Sequence, residues 1–409
     1  MSDRAVERPP QDFGGIGMIN TLFKNGLLAA VALAALAGAA QAGGFSRGEA
    51  DTDILYEDGT TAFRAKTTFV APQRGYDTIE GSATSDGDYT DNFFVPSLAG
   101  KVRFSDSFSC AGTYTQPFGA SSRYGADAQA ADAATSMIGN YTTEAEFKTN
   151  EYGLTCAVNF ALEKGRAYFI GGLFLQSFEY TEKTRLGTLQ LEDESELGYR
   201  LGAAYEIPEI ALRAELMYRS QVDHKGDGRF TLSQDGSTVL TGGLMPAGTP
   251  FDASGAGSLP QSLEFSLQTG IAPGWLAFGS VKWTDWSVLP SLNYNITNIG
   301  DLKKNFRFRD GWTISGGIGH SFTDDVSGAV SLTWDRGVGT GADIMTDSWT
   351  VGVGTAIKTG PGELRLGGAV SYLTSGSQKY DASGDFADYN ATVGNDFAYG
   401  ANVSYLVKF

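Results

Sequence analysis

Few residues in this 409-residue chain could do covalent chemistry: it holds two histidines and two cysteines. His224 opens a long loop-like stretch and His320 lies near the end of a strand-like one, so they cannot share a site, and a Ser–His pair or a His/Cys metal cage is not supported. No catalytic residue, metal ligand or cofactor site is assigned. What the pattern offers instead is charge recognition. Arg200, Arg213, Arg219, Lys282 and Arg365 fall by parity on the polar faces of alternating segments. A cation at the mouth of an apolar pocket can hold a carboxylate. It can equally pair with a neighbouring strand's acid, and Glu215 lies two residues from Arg213. Arg213 and Arg219 come first as candidates because their strand leads into the largest loop.

The elements that must position these cations alternate with period two. "IALRAELMYRS" places Ile210, Leu212, Ala214, Leu216 and Tyr218 on one face and Arg213, Glu215, Met217 and Arg219 on the other. "VSGAVSLTW", "WTVGVGTAI", "LRLGGAVSY" and the terminal "NDFAYGANVSYLVKF" repeat the theme. Such strands run to about 10–18 residues, against the usual ~5–6 of soluble sheets. Aromatics cluster at the ends of their apolar faces (Trp275, Trp283, Trp312, Phe322, Trp349, Tyr399, Tyr405, Phe409). Short turns ("LEKG", "APG", "FTDD", "KTGPGE") alternate with long connections near 75–92, 118–145, 223–258, 290–306, 337–346 and 375–395, and a stunted one at Arg185–Thr188. The count is about fourteen strands. This predicts an all-β, transmembrane antiparallel barrel with interfacial girdles and a polar lumen. A closed barrel satisfies every backbone hydrogen bond in hydrocarbon, whereas a sandwich core would bury the charged faces. The last strand is expected to close on the first, with Phe409 in the periplasmic girdle.

Composition agrees. Gly is abundant (54) and Pro scarce (12), which strands and turns tolerate better than helices. The net charge of -17 argues against nucleic acid as a partner. "FKNGLLAAVALAALAGAAQAGG" has the basic Lys24, an apolar run Leu27–Ala37 and small Ala40 and Ala42, the layout of a signal peptide cleaved after Ala42. Residues 1–42 are assigned to it. Met18 stands where its basic region should begin, so Met1–Gly17 could be an over-extended start. Cys110 and Cys156 could form a disulfide in an oxidising compartment or remain free thiols.

Four blocks give the barrel a family. "LPQSLEFSLQTGIAPGWLAFGSVKWTDWS" (Leu259–Ser287), "FRFRDGWTISGGIGHSFTDDVSGAVSLTWD" (Phe306–Asp335), "LMYRSQVDHKG" (Leu216–Gly226) and "NFFVPSLAGKVRFSDSFSCAGTYTQPFG" (Asn92–Gly119) resemble the FadL family of outer-membrane channels for long-chain fatty acids and other hydrophobic compounds. The resemblance implies passive uptake across the bacterial outer membrane. Ligand is captured by outer loops, moves to an apolar lumenal pocket, and leaves sideways through a gap made by a kinked third strand, gated by an N-terminal hatch. The hatch would be residues 43–63 and the barrel 64–409. Phe45, Ile54, Leu55, Tyr56 and Phe63 could line the inner pocket or simply anchor the plug. Leu240, Leu244, Met245 and Phe251 in the fourth loop could capture ligand or pack on one another. Gly112 and Pro117 could permit the kink. The chain departs from the family pattern in lacking an Asn-Pro-Ala motif in the hatch and in its stunted third outer loop. Expected partners are a long-chain fatty acid or other hydrophobic ligand, outer-membrane lipid and lipopolysaccharide, and the insertion machinery, with a monomeric barrel. A general diffusion porin or an adhesin is the alternative, and deleting the hatch would discriminate: only a plug leaves higher conductance behind.

Overall fold

A computed structural model describes residues 44–339, 344–381 and 388–409. The signal-peptide assignment and Gly43 lie outside the described residues, as do parts of the connections near 337–346 and 375–395.

Fourteen staves are present among the described residues. They are β1 (Thr61–Gln73), β2 (Phe93–Ser105), β3 (Phe108–Thr115, resuming as Gly119–Arg123), β4 (Thr142–Ala161), β5 (Arg166–Thr184), β6 (Gly187–Ile207) and β7 (Leu212–Arg219, resuming as Val222–Leu232). Then follow β8 (Pro250–Leu259, resuming as Ser262–Ala272), β9 (Trp275–Thr284), β10 (Gly311–Ser321), β11 (Val326–Asp335), β12 (Ser348–Thr359), β13 (Gly362–Leu373) and β14 (Asp396–Lys408). Each pairs antiparallel with its neighbours in sequence, and β14 pairs with β1 from Ala62↔Lys408 to Gln73↔Phe397, so the sheet closes on itself.

The two faces sort as the alternation requires. Phe94, Phe169 and Leu197 are each more than 60% exposed on the outer face, which only a hydrocarbon surround makes favourable. Register places Trp283 beside Trp312, Trp334 beside Trp349, and Trp349 beside Tyr372, a girdle near the outer end. Trp275 lies eight residues from Trp283, about 27 Å along the strand at ~3.4 Å per residue. With strand tilt that separation suits the hydrocarbon thickness. Cys110 and Cys156 face each other across β3 and β4 and are joined as a disulfide on the outer face.

Two segments expected as loops are largely strand. β7 continues to Leu232 and β8 begins at Pro250, so little more than Ser233–Thr249, with the helix Gln234–Thr241, leaves the wall. Residues 290–306 form a hairpin, Ser291–Ile296 with Gly300–Asn305, docked on β8 through Ala253↔Ile296. The physical reason is that their apolar residues, among them Phe230, Leu292 and Ile296, pack on one inward cluster instead of facing water. β5 and β6, of 19 and 21 residues, exceed the ~9–11 needed to span and turn tightly at Arg185–Leu186. They stand above the membrane as a back wall. Opposite them, Thr78–Ile79, Ser82–Ala83, Gly376–Gln378 and Ala391–Val393 make a small cap sheet, which packs with the helix Ala126–Thr135 around Tyr76, Tyr89 and Tyr389.

Residues 44–60 fold into the lumen, with a 3-10 turn at Thr52–Tyr56. Phe63, expected in the inner pocket, instead belongs to β1 and is 49% exposed on the outer face. Parity decides this: Ala62 and Arg64 are buried inward, so the residue between them must face lipid.

Candidate functional site

The site begins where the wall fails. In β3 the sequence Gln116-Pro117-Phe118 interrupts the strand. Below it β2 and β3 pair up to Ser97↔Thr115; above it Gly119–Arg123 pairs with β4 alone, and contact with the β2 side resumes only at the Thr90↔Ser122 bridge. Proline has no N–H to give a ladder, and here Pro96 on β2 and Pro117 on β3 remove donors from both sides of the gap. Gly112, the other residue expected to permit the kink, is regularly paired with Gly100 and takes no part.

The hatch fills this gap as a short substitute strand. The Arg47 N–H donates to the Pro117 carbonyl at 2.8 Å, and the Gly119 N–H donates to the Phe45 carbonyl at 2.9 Å. The Arg47 guanidinium lies 4.0 Å from the centre of the Phe93 ring, a cation–π contact. Close approach explains the glycines: a Cβ on Gly48 would lie 2.7 Å from Val95 Cγ1, and one on Gly119 would lie 2.8 Å from Arg47 Nη1.

Above the gap is an apolar pocket. Phe45, 7% exposed, is ringed by Phe147 (5.0 Å between centroids), Phe308 (5.2 Å), Phe306 (5.6 Å) and Trp286 (5.8 Å), all edge-to-face. Phe178, Tyr180, Leu191, Leu259, Leu289 and Leu292 add to the lining of this pocket of about 60 Å³, with Glu146, His224 and Lys304 its charged or titratable members. An engineered cavity that takes up benzene measures about 150 Å³, so with Phe45 in place the pocket is too small for even one aromatic ring. Lys304 and His224 are committed, Lys304 Nζ lying 2.9 Å from Glu182 and His224 bonding Asp193 at 2.9 Å and Gln176 at 3.2 Å, while Glu146 also lines the pocket without an ion pair among the described residues.

Below the hatch strand lies a second, polar chamber of about 350 Å³. The sequence-predicted cations all face this lumen, away from the apolar pocket. Arg213 pairs with Asp53 (3.0 Å) over the ring of Tyr56 (4.1 Å), while Arg219 (2.7 Å) and Arg200 converge on the buried Glu151. Lys282 pairs with Glu49, and Arg365 with Glu57 and Glu363. The acidic hatch thus pairs with Arg213, Lys282 and Arg365, while Glu151 of β4 takes Arg200 and Arg219. Ile54 and Leu55 anchor it on small wall residues around Ala99, Ala111 and Ala157, and the Tyr56 hydroxyl donates to Glu215. Leu240 and Phe251 pack against the edge of the apolar cluster; Leu244 (90% exposed) and Met245 face outward. Of the residues singled out from sequence, only Phe45 lines the pocket.

These features have known counterparts. Residues 30–328 match the family described as outer membrane protein transport protein (OMPP1/FadL/TodX). The chain belongs to this family. It is a transport protein of the outer membrane, and the family handles hydrophobic compounds. No curated protein matches the chain. Among solved structures, a Pseudomonas aeruginosa FadL homologue superposes with TM-score 0.70 at 12% identity, covering 87% of this chain and 92% of that one. The P. putida toluene transporter TodX gives 0.62 at 12% identity (92% and 97%), and the Ralstonia pickettii toluene transporter TbuX 0.59 at 14% (92% and 97%). At such identities the likeness is one of fold, and the pocket must be read from its own side chains.

The pocket residues missed from sequence (Phe147, Phe178, Tyr180, Phe306, Lys304 and His224) did carry a signal. "AEFKT", "QSFEY" and "NFRFR" place aromatics on faces that continue into segments too polar to meet lipid. Lying beyond the girdle, those rings can only turn inward.

Proposed function

We propose that the protein takes up apolar small molecules passively by binding them in the aromatic pocket and releasing them sideways between β2 and β3 when Phe45–Gly48 withdraws. The observation that carries this reading is the coincidence of pocket, wall break and stopper: one short segment both fills the pocket with Phe45 and bridges the break through Arg47 and Gly48. A ligand displacing Phe45 therefore frees the exit in the same movement. The pocket is lined mainly by apolar side chains, and Lys304 and His224 are committed to Glu182 and Asp193, which favours a hydrocarbon-rich ligand. Among long-chain fatty acids, aromatic hydrocarbons and other lipids, it selects first by apolar shape.

The test is a lock. Gly48→Cys with Val95→Cys places two thiols where a Cβ on residue 48 already meets the Val95 side chain; oxidised, it should abolish uptake of a radiolabelled apolar probe into proteoliposomes, and reduction should restore it. The native chain under the same reductant controls for Cys110–Cys156. Uptake undiminished by the oxidised lock would refute the lateral route.

A further inference from the structure

We propose that Lys66, with Ser97, Thr115 and Ser404, forms a carboxylate-binding site inside the barrel, directly beneath the break between β2 and β3. This deepens the uptake reading above and rests on it for the apolar part of the ligand.

Charge accounting singles out the position. Of the cations lining the polar chamber, Arg64, Arg200, Arg213, Arg219, Lys282 and Arg365 are each held in ion pairs. Arg47 lies on Phe93 in the break itself. Among the described residues Lys66 has no hydrogen-bond or ion-pair partner, and the closest acid in electrostatic terms, Asp51, is taken in two bonds by Arg64. A cation that feels Asp51, Glu49 and Asp53 only at a distance, with no acid bonded to it among the described residues, keeps its ammonium donors available to an anion from outside.

Register supplies the rest of the site. Lys66 is paired with Ser404 of β14 on one side and Ser97 of β2 on the other, and Ser97 is paired with Thr115 of β3. Four consecutive staves thus present Ser–Lys–Ser–Thr in one row on the inner face, with direct neighbours about 5 Å apart. Ser404 (2% exposed) and Thr115 (1%) both line the chamber, and their hydroxyls have no hydrogen-bond partner among the described residues. An ammonium flanked by hydroxyl donors is a carboxylate receptor, since ionised acceptors make the stronger hydrogen bonds. Thr115 is also the last paired residue below the break, and the stopper residue Gly48 lies against its Oγ1. A carboxylate on this row would leave its apolar tail at the opening as the hatch strand withdraws. The occupant is the head group of an apolar acid or a free small carboxylate.

The purified native barrel in detergent is assayed for equilibrium binding of radiolabelled decanoate, decanol and acetate, with protein-free micelles subtracted. Decanoate should bind about tenfold or more tightly than decanol, the weight of one charge-assisted contact. Lys66→Met should erase that preference while decanol binding is kept, and Lys66→Arg should restore it. Acetate binding that Lys66→Met abolishes identifies a free small carboxylate as sufficient; decanoate binding without acetate binding identifies the apolar acid. Equal affinity for decanoate and decanol in the native barrel, or a preference that survives Lys66→Met, overturns the site and leaves the uptake reading standing. If neither decyl probe binds, the uptake reading fails and the acetate arm alone decides the anion site.

Discussion

Phe45→Ala tests whether one ring holds the exit shut. The side chain is 7% exposed and sits among four aromatic rings at 5.0–5.8 Å, so its removal forfeits both transfer and packing. Buried Phe→Ala changes cost about 3–5 kcal/mol. The low end applies here, because the segment lies beside an existing cavity of about 60 Å³ into which neighbours can relax. The loss falls on hatch docking and leaves the barrel ladder alone, since the β14–β1 closure does not involve this ring. At 1.4 kcal/mol per factor of ten, about 3 kcal/mol raises the undocked population roughly 100-fold.

The assay is maleimide labelling of Ser46→Cys, whose neighbour in the docked state is Phe118. When redocking outpaces modification, the labelling rate reports the open population. Adding Phe45→Ala should accelerate labelling by about two orders of magnitude, and Phe45→Leu by much less because it keeps most of the apolar volume. A cysteine at Ala369 on the inner wall of β13 should label no faster in either background. Acceleration below about threefold, with the wall control unchanged, would refute the claim that this ring latches the stopper.

Two further outcomes follow from the charged groups. Arg219→Ala should lower the heat resistance of the folded barrel, by about 2–4 kcal/mol on a gel-shift melting curve, because Glu151 (1% exposed) keeps only Arg200 and the Gln176 amide among its described partners; apolar-ligand affinity should not move, and a selective loss of carboxylate binding at unchanged stability would contradict the pairing. In the outer helix Ala126–Thr135, burial pushes the Asp132 carboxyl up to about 6, although it accepts the Thr142 N–H at 2.8 Å. The docked helix then binds the proton more tightly than the free loop does, so docking is strongest below about pH 4 and weakens as pH rises to about 6, by about 1–2 kcal/mol. Asp132→Asn should flatten this, read as hydrogen-exchange protection of the helix on either side of the window; a native profile already flat would refute it.

Much of the barrel was legible because strand parity is a strict rule: Phe94, Leu197 and Trp349 face lipid wherever their strands begin. Parity gives the face but not the height. Arg200 and Arg219 were correctly turned inward, yet their shared partner Glu151 comes from β4, 49 and 68 residues away. Only the inter-strand register reveals that pairing. The same limit hid the pocket. Phe147, Phe178 and Phe306 come from three separate staves or hairpins and meet only because β4, β5 and the 291–305 hairpin rise past the membrane to a common level. Phe63 shows the reverse error, a strand residue assigned to the hatch when parity against Ala62 and Arg64 already excluded it. Pro117, offered with Gly112 as a place for the kink, does fall where β3 is interrupted, whereas Gly112 illustrates how little one glycine says in a chain that holds 54.

The hatch itself divides into two parts held by different forces, and this bears on how it could open. From Glu49 to Glu57 it is bound by ion pairs to Arg64, Arg213, Lys282, Arg365 and Lys408, drawn from staves around the lumen. From Gly44 to Gly48 it is held by apolar contact and a few backbone hydrogen bonds at the break. Pulling out the whole plug would strand several buried charges at once. Releasing the first five described residues strands none except Arg47, which can reach the lumenal water. A ligand shifts such an equilibrium only by its differential affinity for the two states. On the proposed reading a compound that fills the aromatic box competes directly with Phe45 and binds the open state alone, so the occupancy of the pocket and the opening of the wall are one equilibrium.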